Sequence, residues 1–234
     1  MDLGTLHLPT ERPAAIEAAG WADIPAHIWM LLGCAAIVLF ILREIYKLFP
    51  ALAGCLVRGR GNQEVEHSVS TARSRNTCAR LLSVEFMVAA DRYCLYDAGF
   101  LAPWSEPWLR LVELAAVLVA FNSLRLLMHA LLLGLRRLRP HHETILALRR
   151  GIYNYFICFV LLMLISLCVL VAFGASDTAI RWCLWVELGF FWLLSLVREG
   201  QILRTFCNGL TTFLYLCGLE IIPAAVLIAS GLVL

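Results

Sequence analysis

Five charged residues lie near the middle of stretches of the sequence that are mostly apolar: Asp91, Arg92, Arg125, Glu187 and Glu220. If these stretches cross a membrane as helices, all five lie near one depth, with Arg125 somewhat closer to the cytoplasmic side. A charged side chain that faces lipid at that depth costs roughly 2.5–3.5 kcal/mol on insertion scales, so such residues turn inward and find partners. The sequence therefore predicts one intramembrane cluster of acids and bases.

Helical spacing places further polar groups beside two of these residues. Asn122, Arg125 and His129 stand at positions i, i+3 and i+7, so they share one helix face. Pro223 has no backbone N–H, and the carbonyl four residues earlier is therefore left as a free acceptor near Glu220. This combination could bind a cation, a proton or a polar headgroup.

A purely structural interpretation competes with this one, because a buried ion pair can fix helix register without any further role. For Arg92 paired with Asp91 or Glu187, the structural interpretation is preferred. For Glu220 paired with Arg125, both interpretations remain open.

A polar segment precedes the last apolar stretch and contains Arg198, Glu199, Gly200 and Arg204. We expect a cytoplasmic hinge here, in which Gly200 breaks the helix and the charges face water. The alternative is that the hinge docks a partner or gates access to Glu220.

The sequence contains none of the usual catalytic signatures: GxSxG, HExxH and the P-loop are all absent. The His141-His142-Glu143 run lacks the spacing of a metal site, and the nine cysteines form no CxxC pair, so they are expected to be free thiols. We predict no catalytic residues, no metal and no cofactor.

The elements that must position the polar residues are long apolar runs. Hydrophobic residues make up 61% of the 234 and charged residues only 15%, and the mean hydropathy is +0.81, which is typical of a membrane protein. We predict an all-α, polytopic transmembrane bundle after a polar lead at 1–27, forming a single domain over 28–234. Six spans are expected: 28–48, 81–101, 108–135, 152–173, 180–197 and 210–232. The connection 49–80 is expected to be a solvated loop.

The stretch 81–101 is the weakest of these spans because it carries several charges, and a five-span fold with this piece flat or re-entrant is the alternative. With six spans, most of the 19 lysines and arginines lie in three cytoplasmic loops, as the positive-inside rule requires. Both termini then face the periplasm. The net charge of +2 gives no indication of a nucleic-acid partner.

The run LYLCGLEIIP at 214–223 resembles the C-terminal signature of an uncharacterised integral membrane family of Bacteroidota, known only as a domain of unknown function. Gly218 stands where that family is expected to have Thr or Ala. The resemblance also covers the chain length, the several spans and the charged approach to the last helix. It implies a Bacteroidota inner-membrane protein and supplies no activity, ligand or catalytic residue.

Three functions are compatible with these features. The leading hypothesis is a non-enzymatic scaffold or accessory subunit of an envelope complex, whose partners are the lipid bilayer and another envelope membrane protein or further copies of itself. The second is a small transporter or proton-coupled permease that uses Glu220, Arg125 and Asp91. The third is a lipid-processing enzyme with its site near His129, His141 and Arg204.

Overall fold

The computed structural model describes residues 25–58, 61–96, 101, 106–135, 142–205 and 208–233. Within these ranges the regular structure is entirely helical, and the polar lead at 1–24 lies outside them. The helices are α1 Pro25–Val57, α2 Gly61–His67, α3 Val69–Arg92, α4 Pro107–Leu135, α5 His142–Ala172, α6 Asp177–Leu203, α7 Gly209–Leu216 and α8 Ile222–Val233, with a π-helical turn Cys217–Ile221 between α7 and α8. The prediction of an all-α fold is confirmed.

Four of these helices contain segments long and apolar enough to cross a membrane: Pro25–Val57, Pro107–Met128, Leu148–Ala172 and Asp177–Leu203. Most of each segment's residues are not buried inside the bundle, and large apolar side chains stand on the outer surface, where lipid would solvate them. Examples are Phe40, Val119, Ile165, Val186 and Phe190.

Contacts between helix ends show which of them lie at the same end of the bundle. The Arg198 guanidinium donates to the carbonyls of Leu56 at 2.6 Å and Val57 at 3.2 Å, so the last turns of α6 lie beside the end of α1. At the opposite end, Arg92 and Asp177 form an ion pair at 3.1 Å that joins the end of α3 to the start of α6. We call these the Val57 end and the Asp177 end.

Helix α3 lies in the interior of the bundle. It packs against α1 and α5, and to a smaller extent against α4. Cys78, Leu82 and Ala89 enter the main apolar core together with Ile41 of α1 and Phe159 of α5. No residue between 81 and 92 is exposed, so the charges that weaken its hydropathy face protein rather than lipid.

The boundaries of this segment differ from the predicted span 81–101. Helix α3 begins at Val69 and ends at Arg92, so its charged N-terminal half was wrongly taken for loop. Ser68 caps the helix by accepting from the N–H of Thr71 at 3.4 Å, a signal of a helix start that the charge-rich composition concealed.

The prediction of a solvated loop over 49–80 is wrong. Helix α1 continues to Val57, and α2 follows almost at once. Only a glycine fits at Gly61, because an added Cβ would lie 2.5 Å from the carbonyl oxygen of Gly54. Asn62 is buried and joins α2 to α5 by accepting from Asn154 at 3.0 Å and donating to the Tyr155 hydroxyl at 3.2 Å.

Of the remaining predicted spans, 108–135 and 210–232 agree with the structure to within one residue at each end, whereas 28–48, 152–173 and 180–197 are much shorter than their helices. Helix α5 begins ten residues before the predicted residue 152, at His142, and α6 extends from Asp177 to Leu203 rather than from 180 to 197. The last predicted span, 210–232, is the continuous run of α7, the π turn and α8. The π turn divides this run into two α-helices of 8 and 12 residues, each too short by itself to cross a membrane.

Candidate functional site

Arg125, in the middle of α4, lies at the centre of a fully buried polar cluster. Its Nε donates to Oε1 of Glu220 at 2.5 Å, and its Nη2 donates to Oε1 of Glu199 at 2.8 Å. Its Nη1 donates to the backbone carbonyl of Arg149 at 2.9 Å. All three guanidinium nitrogens therefore have an acceptor. We call Arg125, Glu199 and Glu220 the Arg125 cluster.

Burial of the cluster is nearly complete. The side chains of Arg125 and Glu220 are each 1% exposed, and that of Glu199 is 0% exposed. Charges removed from water to this degree are stable only when they are paired and hydrogen-bonded. The geometry meets that requirement for the arginine.

The cluster connects four structural elements. Arg125 belongs to α4, Arg149 to α5, Glu199 to the end of α6 and Glu220 to the π turn. Charge-assisted hydrogen bonds of this kind are about twice as strong as neutral ones. The cluster thus fixes the last helical run against the rest of the bundle.

The π turn has a local cause in the sequence. Pro223 cannot donate an N–H to residue 219, and the helix accommodates this by widening, with the N–H of Ile222 bonded to the carbonyl of Cys217. The turn also marks a change of packing partner. Before it, α7 packs against α6, and after it, α8 packs against α4. Glu220 therefore lies where the run passes from one neighbour to the other.

An apolar cluster adjoins the charges on the side of the Val57 end. It consists of buried residues from α5, α6 and α7 with partly buried residues from α4 and α7: Leu148, Ile202, Leu203, Tyr215, Met128 and Leu216. At Gly200 an added Cβ would meet a methyl of Leu216 at 3.2 Å, so α6 and α7 approach closely here.

Some polar oxygens near the cluster keep unused hydrogen-bonding capacity. Among the described residues, Oε2 of Glu199, Oγ of Ser195 and Oγ1 of Thr212 are buried and have no hydrogen-bond partner. Ser195 lies one helical turn before Glu199 on the same face of α6, and Thr212 lies on α7, which packs against α6.

The structure does not bring Asp91 and Arg92 into this cluster. Because α3 begins at Val69, these residues form its last turn at the Asp177 end rather than its middle. Asp91 pairs with Arg110 at 2.6 Å, and both side chains are buried, while Arg92 pairs with Asp177. The expectation of five charges at one depth, and of Arg92 paired with Asp91 or Glu187, is wrong.

The other residues predicted for the cluster lie around it or apart from it. Asn122 accepts a hydrogen bond from the hydroxyl of Tyr153 at 3.2 Å. Glu187 is half-buried, and the thiol of Cys183 donates to it at 3.7 Å within α6. The side chain of His129 lies outside the described residues.

The expected hinge at Arg198, Glu199 and Arg204 is not a hinge. Helix α6 continues through Gly200 to Leu203, with Arg204 as its C-cap, and only Arg204 among the three faces water freely. Glu199 belongs to the buried Arg125 cluster, and Arg198 binds the end of α1. The signal for this was present in the sequence, because Leu184, Phe191, Ser195, Glu199 and Ile202 continue one helical face past residue 197.

One more buried ion pair was not predicted from the sequence. Arg75 of α3 pairs with Glu66 of α2, and the two side chains are 0% and 2% exposed. It holds the short α2 against the bundle, in the region that was expected to be loop.

The described residues contain no group of three or more His, Cys, Asp or Glu side chains that could hold a metal ion. No protein-family model, curated protein or solved structure matches this chain.

Proposed function

We propose that this chain is a membrane-embedded, non-enzymatic scaffold or accessory subunit that associates with another membrane protein of the cell envelope. The observation that carries the proposal is the closed Arg125 cluster, in which every guanidinium nitrogen is bound and the side chains are almost completely buried. A site that worked by admitting a substrate would leave part of this group accessible. The polar groups instead hold the helices in one arrangement.

The proposal includes six membrane crossings, with α3 and the α7–π–α8 run added to the four apolar helices. Support for α3 comes from its interior position and from the ion pairs that hold its last turn at the Asp177 end. Its first turn follows directly on the short α2, which comes just after α1 ends at Val57. The run 209–233 supplies 25 helical residues, enough to span the roughly 30 Å hydrocarbon core at 1.5 Å per residue. With the basic loops on the cytoplasmic side, both termini face the periplasm. The C-terminal resemblance implies that the membrane is the inner membrane of a Bacteroidota cell.

Site-specific photo-crosslinking in native membranes tests the scaffold role. A photoreactive amino acid is placed singly at four outward-facing positions on different helices: Phe40, Val119, Ile165 and Phe190, all exposed in the bundle. A scaffold bound to one partner gives the same protein adduct reproducibly from one helix face, whereas the other faces react with lipid. Two copies of this chain would give an adduct of twice its mass.

The matched control is the buried Phe159, which is 1% exposed and should give no intermolecular adduct. Reaction with lipid alone from all four outward positions would contradict a scaffold role.

A second candidate, a proton-coupled permease, is favoured by one specific observation. Two carboxylates share a single arginine in the Arg125 cluster, and π turns occur frequently at functional sites. In that case Glu220→Gln abolishes flux in proteoliposomes while the protein remains folded. Normal flux in the variant excludes this use of the cluster, and Glu113→Gln on α4, outside the cluster, serves as the matched control.

A further inference from the structure

The charges of the Arg125 cluster do not balance if both of its acids are ionised. One guanidinium faces two carboxylates, which gives a net charge of −1 in a place that is 1% exposed or less. An uncompensated charge in a low-dielectric interior is costly, and such sites acquire a proton or a counter-ion instead.

The surrounding described groups offer no second positive charge. The guanidinium of Arg198 is turned to the carbonyls of Leu56 and Val57, and Arg149 contributes its carbonyl while its side chain is exposed. Tyr153 and Tyr155 of α5 are phenols, which cannot supply a positive charge. Cys217 of the π turn and Tyr215 of α7 carry no positive charge, and the α8 sequence Ile222–Val233 has no ionisable side chain.

The two carboxyl groups are also close enough to interact directly with each other. Each already gives one oxygen to Arg125. Oε2 of Glu199 has no partner among the described residues, and neither does the buried hydroxyl of Ser195 one turn before it. The site thus has an oxygen available for a proton and a second carboxyl group to accept a hydrogen bond from it.

We propose that the Arg125 cluster binds one exchangeable proton, shared between the carboxyl groups of Glu199 and Glu220. The proton comes from water and forms one O–H bond, and it returns to water when that bond breaks. The bound form is electrically neutral, with one arginine cation, one carboxylate and one carboxylic acid. This inference holds whether the chain is a scaffold or a permease, because it follows from charge and burial alone.

Infrared spectroscopy of the purified protein in lipid tests the proposal, because the carbonyl stretch of a buried carboxylic acid is separate from that of a carboxylate. The wild-type spectrum should contain a band from carboxylic acid. One component of this band should disappear in Glu199→Gln and also in Glu220→Gln, because the shared proton needs both carboxyl groups. Glu85→Gln is the matched control: this acid is also buried but lies on α3 beside Cys34, so its removal should leave that component in place.

A stability measurement gives a second, independent readout. Stability that depends on a proton bound in the folded state falls as the pH rises from the ordinary carboxyl range, until the shared proton has dissociated. The unfolding temperature of the wild type should therefore fall with rising pH over this range, while Glu199→Gln, in which the charges of Arg125 and Glu220 already balance, should lose this pH dependence. Absence of the shared infrared component would overturn the proposal. That result is expected if a positively charged His129 side chain balances the two carboxylates, because no shared proton is then needed. The same pH profile in Glu199→Gln as in the wild type, or a response to sodium in place of pH, would also overturn it.

Discussion

Arg125 illustrates how one side chain can determine the energetics of a membrane protein. It is buried in the middle of an apolar helix and makes three hydrogen bonds to three other elements. Breaking such a group by removing one partner is typically much more destabilising than replacing the whole group, because the remaining charges stay buried without compensation.

The first prediction concerns Arg125 itself. Arg125→Met keeps the length of the side chain but leaves two acids without their cation, so we expect a loss of about 3–5 kcal/mol in the free energy of unfolding. Denaturation in mixed micelles followed by circular dichroism measures this loss. Arg204→Met, on an exposed arginine at the end of α6, should change stability by less than about 0.5 kcal/mol.

At the scale of elements, the sequence predicted the helical class and the positions of most long helices, because apolar runs of this length have few alternatives. The prediction failed for the bounds of α3. A hydropathy pattern identifies helices whose surface faces lipid, whereas residues 81–92 of α3 contact protein and include no exposed residue. The prediction also failed at Gly200, where a glycine that allows α6 and α7 to approach was interpreted as a helix breaker.

The pairing of Arg125 with Glu220 was expected from depth alone, since both lie inside spans whose ends were approximately known. The parts that were missed depend on three-dimensional packing. Glu199 was assigned to water because α6 was ended too early, and Asp91 was assigned to mid-depth because α3 was started too late. Shifted helix ends thus accounted for both errors.

The second prediction concerns the close approach of α1 and α2. In Gly61→Ala the new methyl would collide with backbone atoms of Gly54 and Cys55, which cannot move aside as a side chain tip can. We expect a loss of about 1–3 kcal/mol from this overpacking. Gly33→Ala in α1 is the matched control, because its Cβ would meet nothing within 4 Å. That variant should be neutral or slightly more stable, and equal effects of the two substitutions would contradict the packing described.

The third prediction concerns the π turn. Pro223→Ala restores an N–H that can bond to residue 219, so the turn should tighten to α-helical geometry and rotate Glu220 relative to Arg125. The energetic coupling between Arg125 and Glu220, measured by double-mutant cycles, should then fall. Pro50→Ala in α1, away from the cluster, should leave this coupling unchanged. Full coupling in Pro223→Ala would show that the proline does not determine the position of Glu220.

At the scale of the whole molecule, the order of the helices predicts on which side of the membrane each connection lies, and this can be measured. Epitope tags inserted after Arg58 and after Thr205 should lie on one side of the membrane, and tags at Gly174 and before Glu106 on the other. Gly174 has a φ of 68°, in a turn that can accept an insertion. Antibody access in spheroplasts and in inverted vesicles measures the side. If α3 lay flat, the Arg58 and Thr205 tags would appear on opposite sides.

The Arg125 cluster stabilises the packing of the last helical run against the rest of the bundle. A double-mutant cycle of Arg125→Met with Glu220→Gln, followed by the free energy of unfolding in lipid bicelles, tests it most directly. We predict that the double variant is less destabilised than the sum of the two single variants, with a coupling of about 1–3 kcal/mol. Losses that simply add would show that the two side chains do not stabilise each other, and would contradict this account.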